Sequence, residues 1–436
     1  MNKNSIITIV VALLIGLAIG YGVNQFSGDD GKDAGSGSIQ ARNSQAGYQH
    51  KTSQNNREIS QNQAEAQEAI NRKNSVPQQK TIKKGNLVME NVSANPGRSF
   101  FPYFNEDKNE QLYINWIEVF DPELGIQIKK VVSGGLEDLS PKKGEGQIVK
   151  LGLMQFDSKN NLHLISRMSV NKKTNLYYSQ NKNGKWSEPQ AITTNMNNAA
   201  GPSFMIDKQD RLHLVWYDVD GHSAVIYYSQ NKNGKWSPPV RVNAEKIGST
   251  FWFPKATMDQ KGQIHLVYQE IGSHRQGIYY QKRDTKGKWS EMVKVTGELA
   301  NPRNPMALID SKGKVHIFSS SGNYKDHDIY YTYQEKGKWV TPVNLTHSGE
   351  ITRSYSAVVD GNDKIHLVWS DPKGKGANLY YINNASGDWS EALDLTDTEG
   401  MSESPFLFID AKKKLRLIWH ERASLTDSDI YQTILN

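Results

Sequence analysis

The 436-residue chain contains no cysteine, so disulfides and thiolate metal sites are both excluded. Hydrophobic residues make up 37% of it, and only one long run of them is uninterrupted by charge. Neither charge sign dominates: 52 Lys and Arg stand against 46 Asp and Glu, a net +6. The excess lysines are scattered through turns such as Asn181-Lys182-Asn183-Gly184-Lys185, which reads as a solvated surface and not as a nucleic-acid stripe. No nucleic-acid partner, metal or cofactor is expected.

The one apolar run, Ile6 to Val23, follows Lys3 and precedes Asp29 and Asp30. Its length suits a bilayer core of about 30 Å. The flanking charges put the N-terminus in the cytoplasm and everything after it outside. Residues 1–25 are therefore expected to be a signal anchor or single-pass transmembrane helix in the inner or cytoplasmic membrane, with the remainder in the periplasm or extracellular space. The alternative is secretion after signal cleavage, because Ala18-Ile19-Gly20 offers small residues for a peptidase. Residues 26–84 are rich in Gln, Asn, Ser, Gly and Lys and read as a disordered linker, with a short solvated helix possible over 61–73.

From about residue 85 the chain repeats itself. Leu176 to Pro189 (LYYSQNKNGKWSEP) returns almost unchanged as Ile226 to Pro239 (IYYSQNKNGKWSPP). Each copy reads as a strand, an Asn-Gly hairpin turn and a second strand. A recurring Asp serves as a ruler: Asp107, Asp157, Asp207, Asp259, Asp310, Asp360 and Asp410 are spaced 50, 50, 52, 51, 50 and 50 residues apart. Four short strands in about 50 residues match a propeller blade. The expected fold is all-β, a seven-bladed β-propeller of four-stranded blades over 85–436. The last unit ends before its fourth strand, whereas a spare strand, Asn86 to Val92, precedes the first. That strand is expected to complete the last blade against Ile430 to Ile434 and close the ring.

The segments Ser179 to Trp186 and Ser229 to Trp236 carry the Ser-to-Trp spacing of an Asp-box, with Asn181 and Asn231 in place of its Asp. On these the chain resembles the sialidase-like propellers built from bacterial neuraminidase repeats. The resemblance implies the propeller fold. It also implies that glycosidase chemistry, if present, would use three arginines, a Tyr–Glu nucleophile pair and an Asp acid.

The repeat separates architecture from function. The ruler aspartates recur and read as turn caps; His163, His213, His265, His316 and His366 recur and read as core. Carboxylates two residues after the second-strand aromatic (Glu118, Asp218, Glu270, Asp371, Glu421) read mainly as loop braces. Seven residues before each ruler Asp the repeat is broken, by Phe100, Lys150, Ala200, Trp252, Arg303, Arg353 and Glu403. Guanidinium groups grip carboxylate, sulfate or phosphate in pairs of bonds, and aromatic faces suit sugar rings. Arg98, Arg303, Arg353, Trp252, Phe253, Tyr355 and Phe100 are accordingly the candidate ligand-binding set, for an anionic glycan or an envelope protein. A glycoside hydrolase or polysaccharide lyase is the enzymatic alternative, with Glu270, Asp218, His222 and His274 as candidate acids and bases. A structural component of an envelope complex is the third reading.

Overall fold

The computed structural model describes residues 81–84, 87–93, 98–120, 123–133, 135–142, 148–170, 173–220, 223–243, 249–272, 276–323, 326–352, 354–424 and 427–435. The expected membrane segment, the helix at 61–73 and nearly all of the linker lie outside these residues. No helix among the described residues is long and apolar enough to cross a membrane. The described residues form one compact unit, and all of its regular elements are strands. Thr81–Lys84, placed above at the end of the linker, is instead a strand, pairing antiparallel with Leu87–Asn91.

One three-strand meander recurs along the chain. Its first strands are Arg98–Glu106, Ile148–Phe156, Ala199–Ile206, Thr250–Met258, Arg303–Ile309, Ser354–Val359 and Met401–Ile409. Each pairs antiparallel with a second strand opening five residues after the ruler Asp, and that with a third. A short fourth segment such as Lys235–Trp236 then pairs on the outside. Every first strand touches the next, and Met401–Ile409 touches Arg98–Glu106, so the succession closes on itself. The core lies between neighbouring units: Tyr217, Ile226 and Tyr228 of one pack with Phe251, Leu266 and Tyr268 of the next. Each large side chain buried in this way stabilises the fold by about 1.5–3 kcal/mol.

The ruler aspartates are turn caps, as the sequence suggests. Asp157 Oδ1 accepts the backbone N–H groups of Lys159 and Asn161, and Asp207 Oδ1 those of Gln209 and Arg211. The second carboxylate oxygen belongs to a repeated triplet. His213 Nε2 lies 3.1 Å from Asp207 Oδ2 while its Nδ1 lies 2.8 Å from the Tyr228 hydroxyl, and the same links join Asp157, His163 and Tyr178, and Asp259, His265 and Tyr280. The core histidines thus tie the turn to the third strand. Outer-strand indoles pack across to the neighbouring unit. Trp236 meets Tyr178, Trp289 meets Tyr228, Trp339 meets Tyr280 and Trp389 meets Tyr331, all edge to face.

The two ends of the chain build the last unit jointly. Glu90 pairs with Gln432 and Asn91 with Tyr431, and Asp429 accepts from Asn91 Nδ2 at 2.8 Å and Ser93 Oγ at 2.9 Å. The expected strand at 86–92 is therefore present as Leu87–Asn91, beside Ser428–Leu435.

Candidate functional site

The first strands carry a recurrent irregularity that shapes one face. Their register shifts between Phe100 and Tyr103, Ala200 and Ser203, Trp252 and Lys255, Arg303 and Met306, and Glu403 and Phe406. At each shift one residue adopts left-handed φ: Phe101 (53°), Gly201 (54°), Phe253 (52°), Asn304 (51°) and Ser404 (52°), each followed by proline. Bulges re-aim side chains and bend the strand. Phenylalanine seldom adopts such a conformation, so Phe101 and Phe253 are held there by their surroundings. Among the repeat-breaking positions singled out in the sequence, Phe100, Ala200, Trp252, Arg303 and Glu403 stand immediately before this bulge.

Opposite them, ten residues after each ruler Asp, lies a second repeat-breaking position that the sequence reading passed over: Ile117, Arg167, Tyr217, Gln269, Ser320, Ser370 and His420. Ala200 pairs with Tyr217, Trp252 with Gln269, Arg303 with Ser320, and Glu403 with His420. Some of these side chains reach the following unit. Arg167 Nε donates to the Ala199 carbonyl at 2.9 Å, and Ser370 Oγ donates to the Ser402 carbonyl at 2.6 Å.

On the second to fourth units this pattern assembles a cluster. The Tyr217 ring lies 5.0 Å from Trp252 and 5.9 Å from Phe253. Arg167, half-buried, also donates from Nη2 to Asn198 Oδ1 at 2.9 Å. Burial lowers the Lys150 ammonium pKa, and the nearby Arg167 charge lowers it further. Burial raises the Tyr217 phenol, with Arg167 pulling in the opposite direction. Two cations and three aromatic rings therefore share one surface. Surrounding protein lowers the ammonium pKa of Lys255, just past the bulge, although the side chain is solvent-exposed.

Of the expected ligand-binding residues, Trp252 and Phe253 belong to this cluster. Phe100 does not: it is buried edge-on against His420, with ring centroids 5.4 Å apart, where the last unit meets the first. Glu403 lies there too, 3.2 Å from Arg422 Nη2 and 3.5 Å from His420 Nε2. Arg98 opens the first strand at the same join, in parallel register with Ser428. Arg303 sits in the fifth unit, donating to the Asn301 carbonyl at 3.3 Å and depressing, together with burial, the pKa of His327. Tyr355 is half-buried, and its hydroxyl donates to the Asn304 carbonyl, so it braces two units.

Among the candidate acids and bases, Asp218 is buried and accepts the N–H groups of Asn197 and Asn198, while Glu270 is buried and accepts from Ser249 Oγ at 2.8 Å. Glu118 accepts the Trp116 indole N–H at 2.7 Å, as Asp371 does that of Trp369. These carboxylates hold loops and indoles. Arg353, His222 and His274 lie outside the described residues.

No protein-family model matches the sequence, and comparison with curated proteins finds no match. Solved structures do match. An ulvan lyase from a new family of polysaccharide lyases, bound to a GlcA(1-4)Rha3S unit, is 13% identical, with a TM-score of 0.59 over 77% of this chain and 93% of its own. The same lyase without that ligand gives 12% identity and a TM-score of 0.58 over the same shares of the two chains. An intramolecular trans-sialidase from Ruminococcus gnavus is 12% identical, with a TM-score of 0.44 over 77% of this chain and 94% of its own. At such identities the likeness to the two lyase structures is one of fold alone.

Proposed function

We propose that the chain is a seven-bladed propeller that binds an anionic glycan on the face carrying Lys150, Arg167, Tyr217, Trp252 and Phe253. The observation that carries this reading is the joining of two cations, Lys150 and Arg167, to a cluster of three aromatic rings, Tyr217, Trp252 and Phe253. Guanidinium and ammonium groups meet carboxylate or sulfate, and the rings offer apolar faces to pyranose C–H surfaces. The fold is shared with lyases and sialidases, which supports a glycan as ligand class without naming one.

A polysaccharide lyase is the second reading. Elimination next to a uronate needs a cation to neutralise the carboxylate, and a group near it to move a proton. Arg167 beside the Tyr217 phenol offers both kinds of group. Hydrolysis through Asp218 and Glu270 is less favoured, since both are engaged in bracing.

The N-terminal run of apolar residues supports tethering to a membrane with the propeller outside the cytoplasm. An alkaline phosphatase fusion at Asn436 is expected to be active, and a cytoplasmically fluorescent fusion dark. The binding test uses an array of carboxylated, sulfated and neutral polysaccharides, with unsaturated products followed by ultraviolet absorbance. Retention of acidic polymers that weakens with salt supports the reading. Equal retention of neutral polymers removes it.

A further inference from the structure

Four junctions between units are filled in the same way, and the junction after the sixth unit is not. Trp236, Trp289, Trp339 and Trp389 each cover the third-strand tyrosine of the preceding unit, with ring centroids 5.8, 5.9, 5.1 and 5.4 Å apart. The covered tyrosines are buried, at 9%, 3%, 7% and 7% exposure for Tyr178, Tyr228, Tyr280 and Tyr331. Their histidine partners His163, His213, His265 and His316 are buried as well.

Tyr381 holds the corresponding position in the sixth unit, with its hydroxyl 2.8 Å from His366 Nδ1. The seventh unit would supply its indole from the outer strand beside Ser428–Leu435. The outer strand there is Leu87–Asn91 from the other end of the chain, and it contains no aromatic residue. As a result, Tyr381 and His366 are both partly exposed, unlike their counterparts. A cleft opens over them, walled by Val88, Ile409, Leu415 and Gln432 and edged by Lys413 and Lys414. Val88, at 45% exposure, stands at its rim.

We propose that this cleft is a docking site for an aromatic side chain, an indole by preference, carried on an extended polypeptide segment of a partner protein. The four filled junctions define the occupant. Each shows the same tyrosine–histidine floor receiving an indole from a short extended segment after a tight turn, and the fifth floor is built to the same pattern with no indole over it among the described residues. An edge-to-face ring pair contributes beyond simple burial, which favours an aromatic over an aliphatic guest. This site is separate from the Lys150–Arg167 face and does not depend on the glycan reading.

The test uses the full-length chain and a fluorescently labelled synthetic peptide with the sequence of residues 226–239, which contains the Gly-Lys-Trp turn, read by fluorescence polarisation. Binding is expected with a Kd of about 0.1–1 mM, a range ordinary for one short segment. Replacing the peptide's tryptophan by alanine should weaken binding at least about tenfold, as loss of a single aromatic anchor does. V88W, which places an indole at the rim, should abolish binding, whereas V240W, on an exposed outer strand elsewhere, should not. Absence of binding at 1 mM peptide (~4 kcal/mol), equal binding by V88W, or indifference to the peptide's tryptophan each overturns the proposal.

Discussion

The Tyr217 ring is packed over the α-carbon of Gly201, so closely that a β-carbon there would lie 2.6 Å from Tyr217 Cε1. Gly201 also has a φ of 54°, at the bulge where other units place Phe101, Phe253, Asn304 or Ser404. Those residues accept the same backbone conformation, so what sets Gly201 apart is the ring above it. The glycine lets Tyr217 lean toward Trp252 and into reach of Arg167.

Gly201→Ala should therefore disturb both stability and binding. Left-handed backbone costs a non-glycine residue about 1–2 kcal/mol, and the overlap with Tyr217 adds to that. Thermal melting should show the loss, and acidic-polysaccharide affinity should fall with it. In G201A/Y217A the steric part should vanish while the backbone part remains. An unchanged melting temperature in G201A would show that the ring moves aside freely.

Loss of a charge-assisted bond costs about 1.5–3 kcal/mol. Arg167→Ala should thus weaken acidic-polysaccharide binding roughly tenfold to a hundredfold, with Lys150→Ala in the same direction. Lys208→Ala, in an exposed turn where its ammonium reaches the Gln260 carbonyl, is the control. Arg303→Ala measures how far the ligand extends, since Arg303 stands in the fifth unit, one beyond Trp252 and Phe253. If Arg167→Ala lowers the melting temperature and leaves affinity intact, its bonds to Ala199 and Asn198 are purely structural.

Acid should destabilise the propeller in two stages. Burial lowers the pKa of His163, His213, His265 and His316, only partly offset by their aspartates. The unfolded chain therefore takes up protons first, and stability present above pH 6.5, the ordinary imidazole value, is lost progressively as the pH falls below it. Burial acts to raise Asp157, Asp207, Asp360 and Asp410, but the hydrogen bonds they accept outweigh it and lower them. A further loss follows below pH 3.8 by the same sign. Urea midpoints measured from pH 8 to pH 4 should fall toward acid, and His213→Gln should flatten part of the first stage. A midpoint that rises between pH 7 and pH 5 would contradict the neutral-histidine arrangement.

Removal of residues 1–80 should leave the fold intact, because the described unit holds its core from residue 81 onward. Removal through Ser93 should expose Ser428–Leu435 as an open edge and strip Asp429 of two donors. Melting temperature and light scattering distinguish the two truncations. Equal behaviour would mean that the N-terminal strand adds nothing to the last unit.

The architecture was legible because the ruler Asp does the same physical task in each unit and so keeps its spacing. The closing strand was legible for a related reason, since a unit lacking its last strand has to borrow one. The triplet of Asp, His and Tyr was less visible, because its third member comes fifteen residues after its second, across a hairpin. Arg167 and Tyr217 break the repeat but adjoin the recurring second-strand aromatic position, whose structural regularity masks them. Arg98, Arg303 and Phe100 share a repeat position or neighbour one, yet side-chain direction at a bulge sends them to different neighbourhoods. Periodicity carries no information about that direction. The carboxylates Asp218 and Glu270 were read partly as braces, and their hydrogen bonds are those of braces.

Asn91 and Asp429, which meet in the last unit, are 338 residues apart in the chain. A ribosome delivers the first of them long before the second, so the strand Leu87–Asn91 must wait, unpaired, while every intervening unit is made. Contacts of such separation form late and slowly. The Lys150–Arg167–Tyr217–Trp252 face draws on residues that emerge early and close together, whereas the circle itself can shut only once the final strand has appeared. The molecule thus acquires its chemistry before it acquires its rim, and in the interval the waiting strand is the part most exposed to pairing with the wrong neighbour.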